Sequence, residues 1–370
     1  MSGLRFEILA KAPGGARLGR LTTAHGVIET PAFMPVATQG TVKGLTPAQL
    51  AEAGATIVLS NAYHLGQRPG IETVQALGGV HALLGWRGPV LTDSGGFQLM
   101  SLGGLVRVDD DGVSYRSHVD GRAGRWRPEE VVAAQEALGV DIAMCLDDLV
   151  PASASPERVA TAVRRTTAWA ARARAVRSRD ETALFAIVQG GVYDGQRAAS
   201  AEALVTLGFD GYAVGGLSVG EPPQVTERIA ALTVALLPRD RPRYLMGMGT
   251  PRDLLTFAAM GYDLFDCVLP TRNGRNGTLF TREGKLMIRN ARWARDPNPV
   301  EEGCACYTCR RFSRGVLRHL ALAREMLGAT LASIHNLHFY LRLMAAIRAD
   351  VASGTFPQRA QAAAGVWALS

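Results

Sequence analysis

Residues 262–277 place a carboxylate beside two cations. A short apolar segment ends at Asp266, and Arg272 and Arg275 follow it in a stretch rich in Gly and Asn. A carboxylate at the end of a buried segment can act as a nucleophile, and nearby guanidinium groups can bind a polyanion. A surface turn with scattered charge would have the same composition, so we predict a loop here and seek its role in the rest of the chain.

A group of potential metal ligands follows. Three cysteines lie within six residues: Cys304, Cys306 and Cys309. With His335 as a fourth ligand they would form a closed tetrahedral site, and three thiolates with one imidazole are a ligand set of structural zinc. His338 and His319 are also close in sequence, so His335 is the first of three candidates for the fourth position.

Cysteine count and composition limit the class of protein. Five cysteines is an odd number, and three of them clustered indicate a metal in a reducing compartment rather than a disulfide framework. Hydrophobic residues make up 47% and charged residues 20% of the chain, as in soluble globular proteins. No apolar run reaches the ~18 residues of a membrane helix. The first residues lack an apolar signal region, so we expect a cytoplasmic protein.

The positive charge is localised. The formal net charge is +7, and the segment from Arg272 to Arg318 alone holds eleven basic and four acidic residues, which accounts for the whole excess. A localised basic region is typical of a surface that binds nucleic acid. A solvated charged surface would also explain a single segment of this kind.

The elements that must position these residues recur in a fixed order: an apolar run, a polar or glycine-containing stop, then a helical stretch. Unalternating apolar runs are typical of strands buried on both faces of a parallel sheet. Eight such strands predict an α/β fold with a closed (β/α)8 TIM barrel, and a doubly wound open sheet is the second possibility. The runs are 32–36, 57–59, 89–91, 142–146, 184–188, 211–214, 244–246 and 262–265. Helical patterns include 128–138, 156–178, 194–207, 224–237 and 251–260.

Polar residues and glycines follow most of these runs. The carboxyl ends of barrel strands share one face, so the residues at these ends would converge on one pocket. We therefore predict a site at this face. The strand ends are Asn61, Asp93, 147–148, 189–191, 215–216, Gly247 and Asp266.

Three further stretches complete the pattern. Residues 4–29 read as an antiparallel cap before the barrel. Residues 103–125 are either a lid over the pocket or a hairpin without a role in it. Residues 216–220 match the G-x-S-x-G motif of serine hydrolases, but the following Glu-Pro-Pro delays the helix that this motif requires, and so we reject a serine hydrolase.

Several segments in order resemble the tRNA-guanine transglycosylases, from about Val27 to the end of the chain. They are 93–98 (Asp-Ser-Gly-Gly-Phe-Gln), 189–191 (Gln-Gly-Gly), 215–217 (Gly-Gly-Leu), 265–272 (Phe-Asp-Cys-Val-Leu-Pro-Thr-Arg) and the cysteine cluster with its histidine. The resemblance implies a barrel with one structural Zn²⁺ in an insertion after the last strand, and a homodimer that acts on tRNA. Expected domains are 1–30 (β cap), 31–270 (barrel), 271–340 (basic zinc-binding subdomain) and 341–370 (helical segment closing the barrel).

The resemblance also implies an activity. It would be a pentosyltransferase that exchanges the wobble guanine of tRNAs with GUN anticodons for the free base preQ1, a step of queuosine biosynthesis. Asp266 would attack C1′ of the ribose and Asp93 would be the proton donor and acceptor, as in a retaining glycosidase.

Further roles are implied position by position. Base-binding residues would be Asp93, Phe97, Asp147, Gln189, Gly216, Leu217 and Met246, with Phe97 and Met246 stacking on a base that has left its helix. Residues that bind the anticodon loop would be Asn61, Arg272, Arg275 and Asn276. Metal ligands would be Cys304, Cys306, Cys309 and His335.

Two departures from the family pattern bear on the incoming base. Leu149 and Val150 follow the paired acids where bacterial members have Glu-Cys-Thr after the first acid, and this resembles the eukaryotic form that accepts queuine. Val219 is typical of the smaller bacterial pocket, and Ala62 replaces a usual Thr. We predict preQ1 first and queuine second. Two competing hypotheses are a non-catalytic tRNA-binding subunit of the same fold and a barrel enzyme that cleaves sugars.

Overall fold

The computed structural model describes residues 3–358. In this range it has sixteen strands, in chain order: β1 Arg5–Lys11, β2 Arg17–Thr23, β3 Gly26–Thr30, β4 Ala32–Met34, β5 Val58–Asn61, β6 Val90–Asp93, β7 Val106–Asp109, β8 Gly112–Arg116, β9 Ala123–Trp126, β10 Ile142–Met144, β11 Ala183–Val188, β12 Gly211–Val214, β13 Arg243–Leu245, β14 Leu264–Asp266, β15 Thr278–Thr281 and β16 Gly284–Met287.

The same residues form fourteen α-helices: α1 Pro47–Ala53, α2 Ala62–Gln67, α3 Ile71–Ala76, α4 Gly79–Leu84, α5 Gly96–Ser101, α6 Pro128–Leu138, α7 Pro156–Val176, α8 Asp194–Leu207, α9 Pro223–Leu236, α10 Pro251–Ala259, α11 Leu269–Asn276, α12 Tyr307–Arg311, α13 Arg314–Ala323 and α14 Met326–Ser353. None of the helices in residues 3–358 combines the length and apolar character needed to span a bilayer.

Eight parallel strands form the predicted barrel. Their order in the sheet is β4-β14-β13-β12-β11-β10-β6-β5. The Leu59 N–H donates to the Pro35 carbonyl over 3.0 Å, and the Ala37 N–H donates to the Leu59 carbonyl over 2.6 Å, so β4 and β5 close the ring. The eight predicted apolar runs each overlap one of these strands. The closed barrel is therefore confirmed over the open sheet.

Local sequence sets where the barrel helices begin and end. Ser155 Oγ accepts the Arg158 N–H at the start of α7, and Thr250 forms a capping box with Asp253 at the start of α10. These side chains satisfy amide groups that have no partner within the helix. Gly139 ends α6 with φ 74°, a left-handed conformation that favours glycine.

An antiparallel sheet of β1, β2 and β3 forms the predicted N-terminal cap. It is joined to the amino ends of the barrel strands through two buried carboxylates. Asp141, just before β10, accepts the backbone N–H of His25 over 3.1 Å and that of Val90 over 2.9 Å. Asp263, just before β14, accepts two hydrogen bonds from the Arg17 guanidinium, one of them over 2.9 Å. The cap thus covers the barrel end opposite the predicted site.

Two insertions lie outside the barrel. Residues 106–126 form a three-stranded antiparallel sheet of β7, β8 and β9. After β14, the chain forms β15 and β16 and then α12, α13 and α14. The predicted domain limits stay predictions. Helix α14 runs through the proposed limit at 340/341 and packs against α11, β4 and β15. Residues 359–370 of the predicted C-terminal segment lie outside the described residues.

Candidate active site and metal centre

Three of the predicted acids reach the carboxyl end of the barrel. Asp93 ends β6, Asp266 ends β14, and Asp147 follows β10. All strands of the barrel are parallel, and so these side chains are brought to the same mouth. Within residues 3–358 none of the three forms an ion pair with a basic side chain. Each carboxylate therefore depends on hydrogen bonds alone.

Asp266 is held by two donors on one oxygen. The Tyr244 hydroxyl donates to Asp266 Oδ1 over 2.6 Å, and the Gly247 N–H donates to the same atom over 2.7 Å. Burial raises the pKa of Asp266, and these two hydrogen bonds oppose that rise. Neither bond uses Oδ2, which is left for chemistry. Tyr244 lies one strand away on β13, and its role was not found from the sequence because a buried strand tyrosine ordinarily belongs to the core.

Asp93 has a pKa suited to proton transfer. Asn61 Nδ2 donates to Asp93 Oδ2 over 3.1 Å and contacts Gln98 Oε1 at 3.0 Å. Burial, followed by the negative charges of Asp147 and Asp266, raises the pKa of Asp93 to about 7. An acid with a pKa near neutrality can both give and take a proton under working conditions. Asn61 is buried and donates to Asp93, and its predicted contact with tRNA stays a prediction.

Asp147 and Gln189 form a tightly enclosed pair. Gln189 Nε2 donates to Asp147 Oδ2 over 2.6 Å. A Cβ atom at Gly96 would lie 2.2 Å from Asp147 Oδ1, and one at Gly216 would lie 2.3 Å from Gln189 Oε1. Larger residues at both positions would therefore collide with the pair. Burial raises the pKa of Asp147 to about 6, opposed by the Gln189 hydrogen bond and helped by the charge of Asp148.

The remaining predicted base-binding residues lie at strand ends of the same mouth. Phe97, on α5, has 52% of its surface exposed although it is a large aromatic residue. Met246, directly after β13, is half-buried, and its Sδ would be 3.6 Å from a Cβ atom at Gly215. Leu217 is buried. Phe97 and Met246 therefore both leave apolar surface accessible, as a stacked base requires.

The predicted loop at Arg272 and Arg275 is wrong, because these residues lie in α11. Pro270 occupies the first turn, where it needs no N–H partner, and Gly277 ends the helix with φ 87°. This segment forms a helix rather than a loop because packing against α14 stabilises the helix despite its Gly and Asn content.

The cations of α11 are unpaired among the described residues. Arg272 and Asn276 are exposed, and Arg275 is half-buried with Nη1 lacking a hydrogen-bond partner. Burial and the neighbouring Arg272 charge lower the pKa of Arg275. The exposed guanidinium of Arg272 is open to an anionic ligand.

Two supports of the site were not found from the sequence. The Arg197 guanidinium is fully buried and donates to four carbonyl oxygens around the ends of β11 and β12, including Gly215 over 2.8 Å and Gly216 over 3.1 Å. Asp148, next to Asp147, pairs with Arg158 and Arg165 of α7. Arginines on amphipathic helices usually face solvent, so only the packing of α7 and α8 identifies these roles.

The cysteine cluster gathers with one histidine. Four ligand atoms lie within 4.8 Å of one another, from Cys304, Cys306, Cys309 and His335. The distances from His335 Nδ1 to the three sulfurs are 4.0, 3.6 and 3.3 Å. A tetrahedral ion with Zn–S bonds of about 2.3 Å and a Zn–N bond of about 2.0 Å holds its ligand atoms roughly 3.5–3.8 Å apart. The cluster therefore fits a metal of this size.

The hydrogen bonds of His335 favour this residue as the fourth ligand. Its Nε2–H donates to the Phe280 carbonyl over 2.8 Å, which leaves Nδ1 free of a proton and directed at the sulfurs. His319 and His338 are not part of the four-ligand group. The sequence could not make this choice, since α14 places His335 and His338 one turn apart.

Within the described residues, a closed parallel barrel with unpaired carboxylates at its mouth and an inserted Cys₃His group that could hold a metal ion define an enzyme of the barrel type. The model of the queuine tRNA-ribosyltransferase family matches residues 12–367. A queuine tRNA-ribosyltransferase of Desulforudis audaxviator is 54% identical over 356 residues, which cover 96% of each chain. One from Symbiobacterium thermophilum is 51% identical, covering 98% of this chain and 92% of the relative.

A third relative with the same name, from Thiobacillus denitrificans, is 49% identical over 96% of each chain. The chain belongs to the queuine tRNA-ribosyltransferase family. The expected family and enzyme class, a pentosyltransferase of the tRNA-guanine transglycosylase type, are thereby confirmed.

Proposed function

We propose that this protein exchanges the wobble guanine of tRNAs with GUN anticodons for preQ1, by double displacement through a covalent aspartyl-ribosyl intermediate. The tRNAs are those for aspartate, asparagine, histidine and tyrosine. The observation that carries the proposal is the pair Asp266 and Asp93 at one barrel mouth, one with an oxygen free of hydrogen bonds and the other with a pKa of about 7.

In the first displacement, Asp266 Oδ2 bonds to C1′ of the ribose while the bond from C1′ to guanine N9 breaks. Asp93 in its acid form gives its proton to the departing purine, whose negative charge would otherwise build up. Hydrogen bonds from Tyr244 and the Gly247 N–H favour the ionised form of Asp266 and fix its rotamer. The product of this step is an ester between the enzyme and the RNA.

In the second displacement, the incoming base loses a proton to Asp93, now in its base form, and its N9 attacks C1′. The ester to Asp266 breaks and the carboxylate is released. Two inversions at C1′ give net retention, as in retaining glycosidases. One acid–base residue serves both halves, because protonation and deprotonation are required in turn.

The paired Asp147 and Gln189 would read the polar edge of the purine, with the Gly216 N–H and the Leu217 carbonyl. Phe97 and Met246 would stack on its faces. Leu149 Cδ1 would lie only 3.4 Å from a Cβ atom at Gly216, so Leu149 takes up space beside the reading pair. Val219, which is typical of the smaller bacterial pocket, supports preQ1, which has the smaller substituent, over queuine.

Two arginines and one asparagine after β14 would hold the anticodon loop. Arg272, Arg275 and Asn276 on α11 follow the nucleophile directly, and the basic segment from 272 to 318 continues the positive surface. Phosphate contacts of this kind release counterions, so tRNA binding should weaken steeply with salt.

Trapping the intermediate tests the mechanism. The protein is incubated with guanine-containing tRNA and analysed on a denaturing gel, with Asp266→Asn as the altered form. We expect an adduct of protein and tRNA with the wild type and none with the variant. A wild type without adduct would support the non-catalytic tRNA-binding subunit, and an adduct with Asp266→Asn would mean that another residue is the nucleophile.

Exchange assays test the base. Radiolabelled guanine is first exchanged into the wobble position of the tRNA. Release of the label is then followed after addition of preQ1 or queuine at equal concentrations. We expect release with preQ1 and little with queuine. Efficient release by queuine alone would overturn the choice of preQ1.

The metal of the Cys₃His centre is zinc in this proposal, and its role is structural because four protein ligands leave no open position. We expect one zinc per chain by elemental analysis. His335→Ala should lose the metal and His338→Ala, one turn further along α14, should keep it.

Sedimentation of the same preparations tests the expected homodimer.

A further inference from the structure

The outer face of the sheet β7-β8-β9 carries a second set of unpaired arginines at the barrel mouth. Arg107 on β7 and Arg116 on β8 are both exposed. Since Arg107 pairs with Ser114, Arg116 lies two residues along the neighbouring strand, and both side chains project from the same face. Neither forms an ion pair with any residue in the described range 3–358. This pattern contrasts with the rest of the sheet.

Acidic residues of this sheet are concentrated at the turn between β7 and β8, where arginines already neutralise them. Arg125 pairs with Asp109 over 2.8 Å and with Asp111 over 2.9 Å. Arg165 of α7 pairs with Asp110 over 3.0 Å. The positive charge left over on the outer face is therefore that of Arg107 and Arg116, which lie further along the strands from this turn.

The sheet is tied to the residues around Asp93. Trp126 Nε1 on β9 donates to the Ser94 carbonyl over 2.9 Å. His118, in the loop that follows Arg116, lies 3.3 Å from the Tyr63 hydroxyl through its Nδ1. Tyr63 lies two residues after Asn61, the donor to Asp93. The sheet is thus anchored beside the mouth, across the pocket from the nucleophile strand β14.

A shallow groove of about 670 Å³ runs along this face. Its lining includes the two unpaired arginines and Arg125, whose charge Asp109 and Asp111 neutralise. Guanidinium groups that line an open groove can bind the phosphates of a sugar–phosphate backbone.

We infer that this groove binds the phosphate backbone of the same tRNA whose target nucleotide enters the pocket, so that α11 and the sheet β7-β8-β9 grip the RNA from two sides. The inference rests on the proposed function, because it needs tRNA as the substrate. Charge complementarity selects RNA over other occupants. Residues 103–125, for which the sequence left a lid or an idle hairpin open, thereby acquire an RNA-binding role.

The test compares two double variants with equal loss of charge. Arg107→Ala/Arg116→Ala removes the groove cations. Arg174→Ala/Arg179→Ala removes two exposed arginines near the C-terminal end of α7, at the opposite end of the barrel. Steady-state exchange of guanine gives kcat, the KM for tRNA and the KM for the free base, and anisotropy at several salt concentrations gives the salt slope of tRNA binding.

We expect the groove variant to raise the KM for tRNA roughly three- to tenfold and to flatten the salt slope by about 1–2, with kcat and the KM for the base unchanged. Lysines at both positions should restore most of the binding. Equal weakening by the control pair, or no change in the groove variant while the wild type binds and exchanges normally, would overturn the inference. A changed oligomeric state with unchanged KM for tRNA would also overturn it, in favour of a contact between chains. If the wild type neither binds tRNA nor exchanges guanine, the proposed function itself fails.

Discussion

Both ends of the barrel bury aspartates, but the two ends give them different partners. At the amino end, Asp263 faces the Arg17 guanidinium and the Arg243 N–H, and Asp141 accepts hydrogen bonds from the N-terminal cap. At the carboxyl end, Asp93 and Asp266 have hydrogen-bond donors but no cation among the described residues. The partners of Asp263 and Asp141 make these carboxylates part of the stability of the fold. Asp93 and Asp266 remain available for reaction with a substrate.

The pKa values separate Asp141 from Asp93, whereas burial raises the pKa of Asp263 despite its pairing with Arg17. Burial alone would raise the pKa of Asp141, but hydrogen bonds led by His81 and the Val90 N–H hold it at about 2. Burial and neighbouring acids raise the pKa of Asp93 to about 7. A carboxylate with a depressed pKa stabilises the fold, whereas one near neutrality exchanges protons. Substitutions at either end of the barrel test this difference in role.

The largest expected effect is at Asp93. Asp93→Asn should slow exchange by roughly 10²–10⁴-fold, because the acid and base roles are both lost. In the wild type, single-turnover adduct formation needs the protonated form, so its rate should fall as pH rises through about 7. Quenched-flow assays between pH 5.5 and 9 measure this. If the pH limb persists in Asp93→Asn, another group provides the proton.

Asp263 gives the matching test at the other end. Asp263→Asn leaves the buried Arg17 guanidinium without its counter-ion and should lower the free energy of unfolding by about 3 kcal/mol. Urea denaturation measures this change. The folded variant should retain the kcat of the wild type, since Asp263 lies at the end of the barrel away from the mouth. A large loss of kcat at unchanged stability would mean that the two ends are not separate in function.

Asp141 should show a pH-dependent effect on stability. Its folded pKa of about 2 lies below the value near 3.8 of an unperturbed carboxyl, so its ionised form stabilises the fold above about pH 4. We expect Asp141→Asn to cost about 2 kcal/mol at pH 7. The gap between the two proteins should close as pH falls from 4 towards 2. Urea titrations at several pH values measure it, and a gap that stays constant would exclude ionisation as the cause.

The smallest expected effect is that of Tyr244→Phe. Loss of one hydrogen bond to a charged acceptor, worth about 1.5 kcal/mol, should reduce kcat about tenfold. That hydrogen bond lowers the pKa of Asp266. Protonation of Asp266 should slow the reaction at low pH, and in the variant this loss of rate should begin at a higher pH. A reduced kcat with an unshifted limb would indicate that Tyr244 positions Asp266 without tuning it.

Much of the fold was predictable because buried parallel strands and amphipathic helices leave strong local patterns. The patterns at 128–138 and 194–207 coincide with α6 and α8, and each of the eight apolar runs overlaps a barrel strand. Helix α11 was missed because its Gly and Asn residues favour a loop, and contacts with α14 override that preference. Local propensity cannot register a partner that lies about 60 residues further along the chain.

The candidate site divides in the same way. The sequence alone determined which strands carry acids, that Cys304, Cys306 and Cys309 lie close enough together to share a metal, and that the basic excess follows Asp266. Only the tertiary structure decided that, among the described residues, Asp93 lacks a cation while Asp263 has one, that His335 Nδ1 lies within 4.0 Å of all three sulfurs, and that Tyr244 holds Asp266. Residue types and spacing along the chain set what chemistry is available, but the pKa and orientation of each group depend on neighbours that only folding supplies.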